Sequence, residues 1–267
     1  MRVHRVIRAL AMTIGLAAYA HDGRAVIVCP DRASDERSLA RDEAWRQYYD
    51  SVQQALSGSS DPRDRALAAF AGDFSSDERV RAEALARSAA DAAADDMLVQ
   101  WVALRRSQVA SGNYEPMLSR LEQHEPDNAA VWLEVLVRAI YLQDRATADE
   151  ALTRMAQGSR FDAHLMDLSK ALSQAFERFP DYPKEPFDKA TTYAQSMRSA
   201  YVDRLVANSL PALEPLFAMC RTDPDSGANL DRASACASVE DLVAASDISA
   251  SAGEIGKVSL GNDQPTR

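Results

Sequence analysis

Lysine, glycine and long apolar runs are all scarce in this chain, and each scarcity closes a route. Only Lys170, Lys184, Lys189 and Lys257 carry an ammonium group and the net charge is -10, so the basic footprint that nucleic acids and anionic membranes require is missing. The ten glycines form no phosphate-cradling array. The longest uncharged apolar run, Ala9 to Ala20, is shorter than the roughly 20 residues that span a bilayer. No segment of useful length alternates apolar and polar residues, which argues against a sheet. The histidines, His4, His21, His124 and His164, never stand four apart as a helical zinc pair requires, and no G-x-S-x-G frames a nucleophilic serine. No catalytic, cofactor-binding or metal-binding residue is named by any motif.

What is present begins at the N-terminus. MRVHRVIR is basic, ALAMTIGLAAYA is apolar, and Ala18-Tyr19-Ala20 supplies the small-x-small pattern of a signal-peptidase site. Residues 1–20 are expected to be a signal peptide cleaved after Ala20. The mature chain is then periplasmic or secreted, with no stable membrane insertion after cleavage. Losing Arg2, Arg5 and Arg8 leaves it more acidic still.

Three cysteines in an oxidising compartment leave one pair and one odd member. Cys220 and Cys236 flank a stretch that reads helix, polar loop, helix, and are the natural partners for a disulfide worth up to about 3 kcal/mol in the chain-entropy model. Cys29 follows Val26-Ile27-Val28, which puts a branched residue where a lipoprotein leader keeps a small one. It is left as the odd thiol, open to an intermolecular bridge.

Apolar residues recur at three and four along almost all of the remaining chain, the signature of an all-α fold. A first helix starts near Ser34 or Ser38, carries Trp45, Tyr48, Tyr49, Val52 and Leu56 on one stripe, and stops at Gly58. Asp61-Pro62 opens a second as N-cap and first helical residue, with Leu67, Phe70 and Ala71 facing the core. A third runs from Ser76 to about Ala92 and a fourth from Met97 to about Val109. Further helices are expected over 115–123, 128–142, 146–157, 162–179, 187–209, 211–221 and 229–245, with short loops that make antiparallel neighbours. The run Pro180-x-x-Pro183-x-x-Pro186 reads as a stiff connector. The plan is an N-terminal extension over 21–33, a helical domain over 34–248 and a low-complexity tail over 249–267.

Pro126, Trp132, Val135, Leu136, Ala139, Ala148 and Leu152 fall near the spacing W-x2-L-G-x2-Y followed by A-x3-F and P. Over about residues 95–160 the chain resembles the tetratricopeptide repeat family, with Leu136 where that family keeps a small residue and Ala139 in place of its tyrosine. The resemblance implies antiparallel helix pairs stacked as a TPR-like solenoid, whose concave groove binds a protein or peptide partner. The Cys220–Cys236 bridge would staple a C-terminal cap onto that stack.

Paired carboxylates are the one catalytic opening: Asp35-Glu36, Asp95-Asp96 and Asp149-Glu150, since glycosidases that cut wall polymers work with two acids. Their charged surroundings make them helix N-terminal or surface charges instead. His164 and Asp167, three apart, share a helix face and suit a surface hydrogen bond. The function expected is binding or scaffolding of a partner in the cell envelope, without catalysis. A peptidoglycan hydrolase using groove carboxylates is the alternative, and an assembly factor that covers another protein's apolar surface is a variant of the first.

Overall fold

A computed structural model of the chain describes residues 20–21, 24–25, 32–72, 76–183, 190–221 and 230–246. Residues 1–19 of the expected signal peptide, Cys29, Pro186, the turn cluster at 223–227 and the tail from 249 lie outside the described residues. Two two-residue strands, β1 (Ala20–His21) and β2 (Arg24–Ala25), pair antiparallel. All other regular structure among the described residues is helical: α1 (Arg32–Ser57), α2 (Pro62–Ala71), α3 (Ser76–Ala92), α4 (Met97–Arg106), α5 (Tyr114–His124), α6 (Ala129–Tyr141), α7 (Arg145–Gln157), α8 (Leu165–Glu177), α9 (Ala190–Ala207), α10 (Glu214–Cys220) and α11 (Leu230–Ala244). The fold class is all-α, as the periodicity requires. Two compact units divide at Ala44 and Trp45; the first holds the strand pair and the start of α1, and the second holds the helical core.

Local chemistry sets most helix ends. Asp61 accepts a hydrogen bond from the Arg63 N–H at 2.9 Å ahead of Pro62. Asp96 caps α4 through the Val99 N–H at 3.3 Å, and Asp144 caps α7 through the N–H and hydroxyl of Thr147 at 3.1 and 2.7 Å. Helix α6 closes by a left-handed residue, Gln143 at φ 59°. Its N–H bonds Ile140 O while the Asp144 N–H bonds Ala139 O, the paired closure of a Schellman motif. Helix α4 ends at Arg106, before the expected Val109, where Ser107 turns to an extended ψ of 140° with its N–H on Ala103 O and Leu104 O.

Each helix buries its apolar stripe against its neighbours in sequence: α2 on α3, α3 on α4, α4 on α5, α5 on α6, α6 on α7 and α8 on α9. Two contacts reach further, α2 to α4 and α2 to α8, while α10 lies on α6 and α11 on α7. Trp45 and Trp101 are the largest fully buried side chains. The stripe expected on the first helix is core: Trp45 packs on Tyr48 and Tyr49, both tyrosines meet Phe176, and Tyr49 stacks on Tyr201 at 3.8 Å between centroids. Their hydroxyls do not go unmatched in this apolar setting. Tyr48 donates to Phe179 O, Tyr49 to Met197 O and Tyr201 to Ala71 O, at 2.9 to 3.0 Å. Cys220, the last residue of α10, is bonded to Cys236 within α11 at 2.03 Å, the pairing expected from the sequence.

Candidate functional site

A densely hydrogen-bonded polar group sits where the α5–α6 loop meets the α7–α8 loop. The two loops are zipped by backbone: Ala129 N donates to Arg160 O at 2.8 Å and Ser159 N to Asp127 O at 2.9 Å. The Asn128 side chain completes the seam, donating to Asp162 O at 2.8 Å and accepting from Asp162 N at 2.9 Å, while its oxygen also caps α6 through the Ala130 N–H. A Cβ on Gly158 would lie 3.0 Å from Asp127 O and 3.2 Å from the Ala129 Cβ, tighter than ordinary contact, so a larger residue would push the loops slightly apart.

Glu125, 5% exposed, stands behind the seam. Its carboxylate accepts from His164 Nε2 at 2.8 Å, Asn128 Nδ2 at 2.7 Å and the Trp101 indole N–H at 3.3 Å. Burial alone would raise its pKa, but these hydrogen bonds and the histidine's charge outweigh burial and hold it at about 2. His164 answers in the opposite sense. Burial disfavours its charge, yet the Glu125 hydrogen bond and carboxylate, with Asp162 and Asp167 beside them, hold the ring protonated to higher pH than a free histidine. The imidazolium donates from Nε2 to Glu125 and from Nδ1 to Asp167 at 3.2 Å. The expected His164–Asp167 pair is therefore present, but it is one arm of a larger network. His164 holds a left-handed backbone, φ 54°, and occupies the N-cap position of α8 without a side-chain cap bond. That explains why α8 begins at Leu165 and not at the expected Asp162, whose backbone serves the loop seam.

The exposed edge of His164 faces a cleft of about 690 Å³ lined by Arg63, Asp95, Asp96, Lys170 and Gln174 with Met97 and Leu98. Asp95 and Asp96 do not form a catalytic pair. Asp96 is spent on the α4 cap and on Arg63 at 2.8 Å, and Asp95 reaches only His124 at 3.9 Å. Of the other expected pairs, Asp149 bridges to Arg232 at 2.6 Å, and Asp35 and Glu36 lie in α1. Both ring nitrogens of His164 are engaged, so it is not poised as a free base. The carboxyls held above their ordinary range are elsewhere: Glu134, raised by burial and bonded by the Tyr114 hydroxyl at 2.7 Å, and Glu122, raised by burial and by Glu115. Neither lines this cleft. Among the described residues no group of three His, Cys, Asp or Glu side chains is placed to hold a metal ion, and no helix is long and apolar enough to cross a membrane.

Sequence reasoning missed Glu125, Asn128 and Arg160. The only local sign was a carboxylate beside Pro126, where a helix must stop. Comparison of the chain with family models, with curated proteins and with solved structures found no match.

Proposed function

We propose that the chain is an exported helical-repeat protein of the cell envelope, built like a tetratricopeptide array, which binds or scaffolds a protein or peptide partner and performs no chemistry of its own. The observation that carries the repeat reading is a spacing. Helices α2, α4, α6 and α8 start at Pro62, Met97, Ala129 and Leu165, close to the 34 residues that separate the mutually bonded Asn128 and Asp162. That interval is the tetratricopeptide period. Each even-numbered helix through α8 would open a helix pair, closed by α3, α5, α7 and α9.

A binding role is supported by how the polar groups are used. The buried ones around Glu125 tie loops together, which leaves a rigid cleft wall, and rigid walls are what a recognition surface needs. The basic leader with its Ala18-Tyr19-Ala20 site is the support for export. The test is chemical cross-linking in intact cells of the source organism, followed by mass spectrometry of the captured partner and of the chain itself. Recovery of residues 21–267 cross-linked to one defined envelope protein is the expected result. A chain that retains residues 1–20 and captures nothing above an unrelated helical control overturns the reading.

A further inference from the structure

Helix α11 is a poorly anchored part of an otherwise well-buried second unit. Over its described side chains only Cys236 and Val239 are buried, at 6% and 0% exposure. It lies along α7, with open space beside its first turns and at its C-terminal end. One cavity of about 370 Å³ runs between Asp149, Leu152, Ala156, Arg232, Ala235 and Ser238. Another of about 500 Å³ opens under Leu242 and Ala245, against Phe161 and Met166. Packing as sparse as this forgoes most of the dispersion and burial that hold a core helix. Ala235, Leu242 and Val243 pack partly buried against the core, and two tethers add to that packing: the Cys220–Cys236 bond and the Arg232–Asp149 ion pair. Arg232, Cys236 and Val239 follow i, i+4, i+7, the anchor pattern of a helix laid in a groove.

We propose that the outer face of α7 is a helix-binding groove, that α11 is its own disulfide-held occupant, and that reduction of Cys220–Cys236 opens the groove to a partner helix of the same chemistry. That partner carries an arginine or lysine to meet Asp149, a small residue one turn later, and a branched apolar residue at i+7. The opening step is thiol–disulfide exchange. A dithiol reductant attacks one sulfur through its thiolate, the second thiol resolves the mixed disulfide, and the products are the cyclic disulfide of the reductant and two protein thiols. Two electrons and two protons pass to the protein. In an oxidising compartment the groove stays closed. The idea goes beyond the envelope-partner proposal and does not depend on it, because its probe is the chain's own helix.

The test uses the full chain with and without dithiothreitol, read by amide hydrogen exchange. Reduction should speed exchange in α7 and α11 by about tenfold or more while α2 to α4 stay protected, the signature of local and not global opening. A fluorescein-labelled peptide of residues 230–246 carrying Cys236→Ser should then bind the reduced Val239→Asp chain, whose own α11 is disabled, and not the oxidised wild type. Asp149→Arg in that chain should weaken binding about tenfold or more, the scale of a lost charge-assisted contact. Unchanged exchange in α7 after reduction overturns the proposal. So does loss of protection in α2 to α4 together with α7, which would make α11 part of the fold, and so does peptide binding indifferent to Asp149.

Discussion

Helices α2 and α8 begin in opposite ways. The start of α2 is written locally: Asp61 bonds the Arg63 N–H two residues on, and Pro62 fixes the first helical φ. The start of α8 is built by a distant partner. His164 takes a left-handed backbone, uncommon for any residue but glycine; its N–H bonds the Asp162 carboxylate two residues earlier, while its ring is held by Glu125, 39 residues earlier. A helix end that rests on its own side chains costs little to lose and is visible in the sequence. One that rests on a buried ion pair couples two loops, and its loss spreads.

Experiments can widen or close that gap, beginning with the largest expected effect. Trp101→Ala should cost about 3 to 5 kcal/mol in denaturant unfolding, since the indole is fully buried and also donates to Glu125. Trp132 is only partly buried, with its N–H on Pro126 O; the same truncation there should cost clearly less. Glu125→Gln removes a buried partner from His164 and should cost about 3 kcal/mol.

That cost should depend on pH. The His164 pKa is raised above 6.5 on folding, so its contribution is full below pH 6.5 and disappears as pH climbs through the folded value. The Glu125 pKa is lowered from 4.5 to about 2, so its contribution is full above pH 4.5 and disappears as pH falls toward 2. The wild-type advantage over Glu125→Gln should therefore be greatest between about pH 4.5 and 6.5, and a pH series of urea melts would show it. A flat difference would mean that the pair is not charged in the native state.

Asp61→Ala, by contrast, should cost only about 1 kcal/mol in the same urea melts. Smallest of all, Gln143→Gly should stabilise by about 0.5 kcal/mol, because a left-handed glycine carries no Cβ penalty; a lower melting temperature would show that the glutamine side chain has a role of its own.

The same contrast marks what could be read in advance. Helix boundaries set by Asp61-Pro62 and Gly58 were legible because capping and helix stops are short-range chemistry. So were the buried Leu67, Phe70 and Ala71, which follow from helical periodicity, and the Cys220–Cys236 pair, which follows from cysteine arithmetic once export is expected. The network around Glu125 was not legible. Its members come from α4, the α5–α6 loop and the α8 start, and nothing in Glu122-Gln123-His124-Glu125 distinguishes the buried acid from its neighbours. His164 was read with Asp167, three residues away, because helix spacing reveals that partner and no other. The late start of α8 has the same origin: local signals favoured Asp162, and the loop seam claimed it.

The tyrosine hydroxyls of α1 carry a last consequence, for the order in which the molecule can assemble on the ribosome. The carbonyl that Tyr48 needs belongs to Phe179, 131 residues downstream, and the one that Tyr49 needs belongs to Met197, 148 residues downstream. At about 5 to 20 residues per second, translation keeps those rings without their partners for roughly 7 to 30 seconds. During that interval the aromatic stripe is open to whatever holds nascent chains, and α1 cannot complete its packing until α9 has emerged.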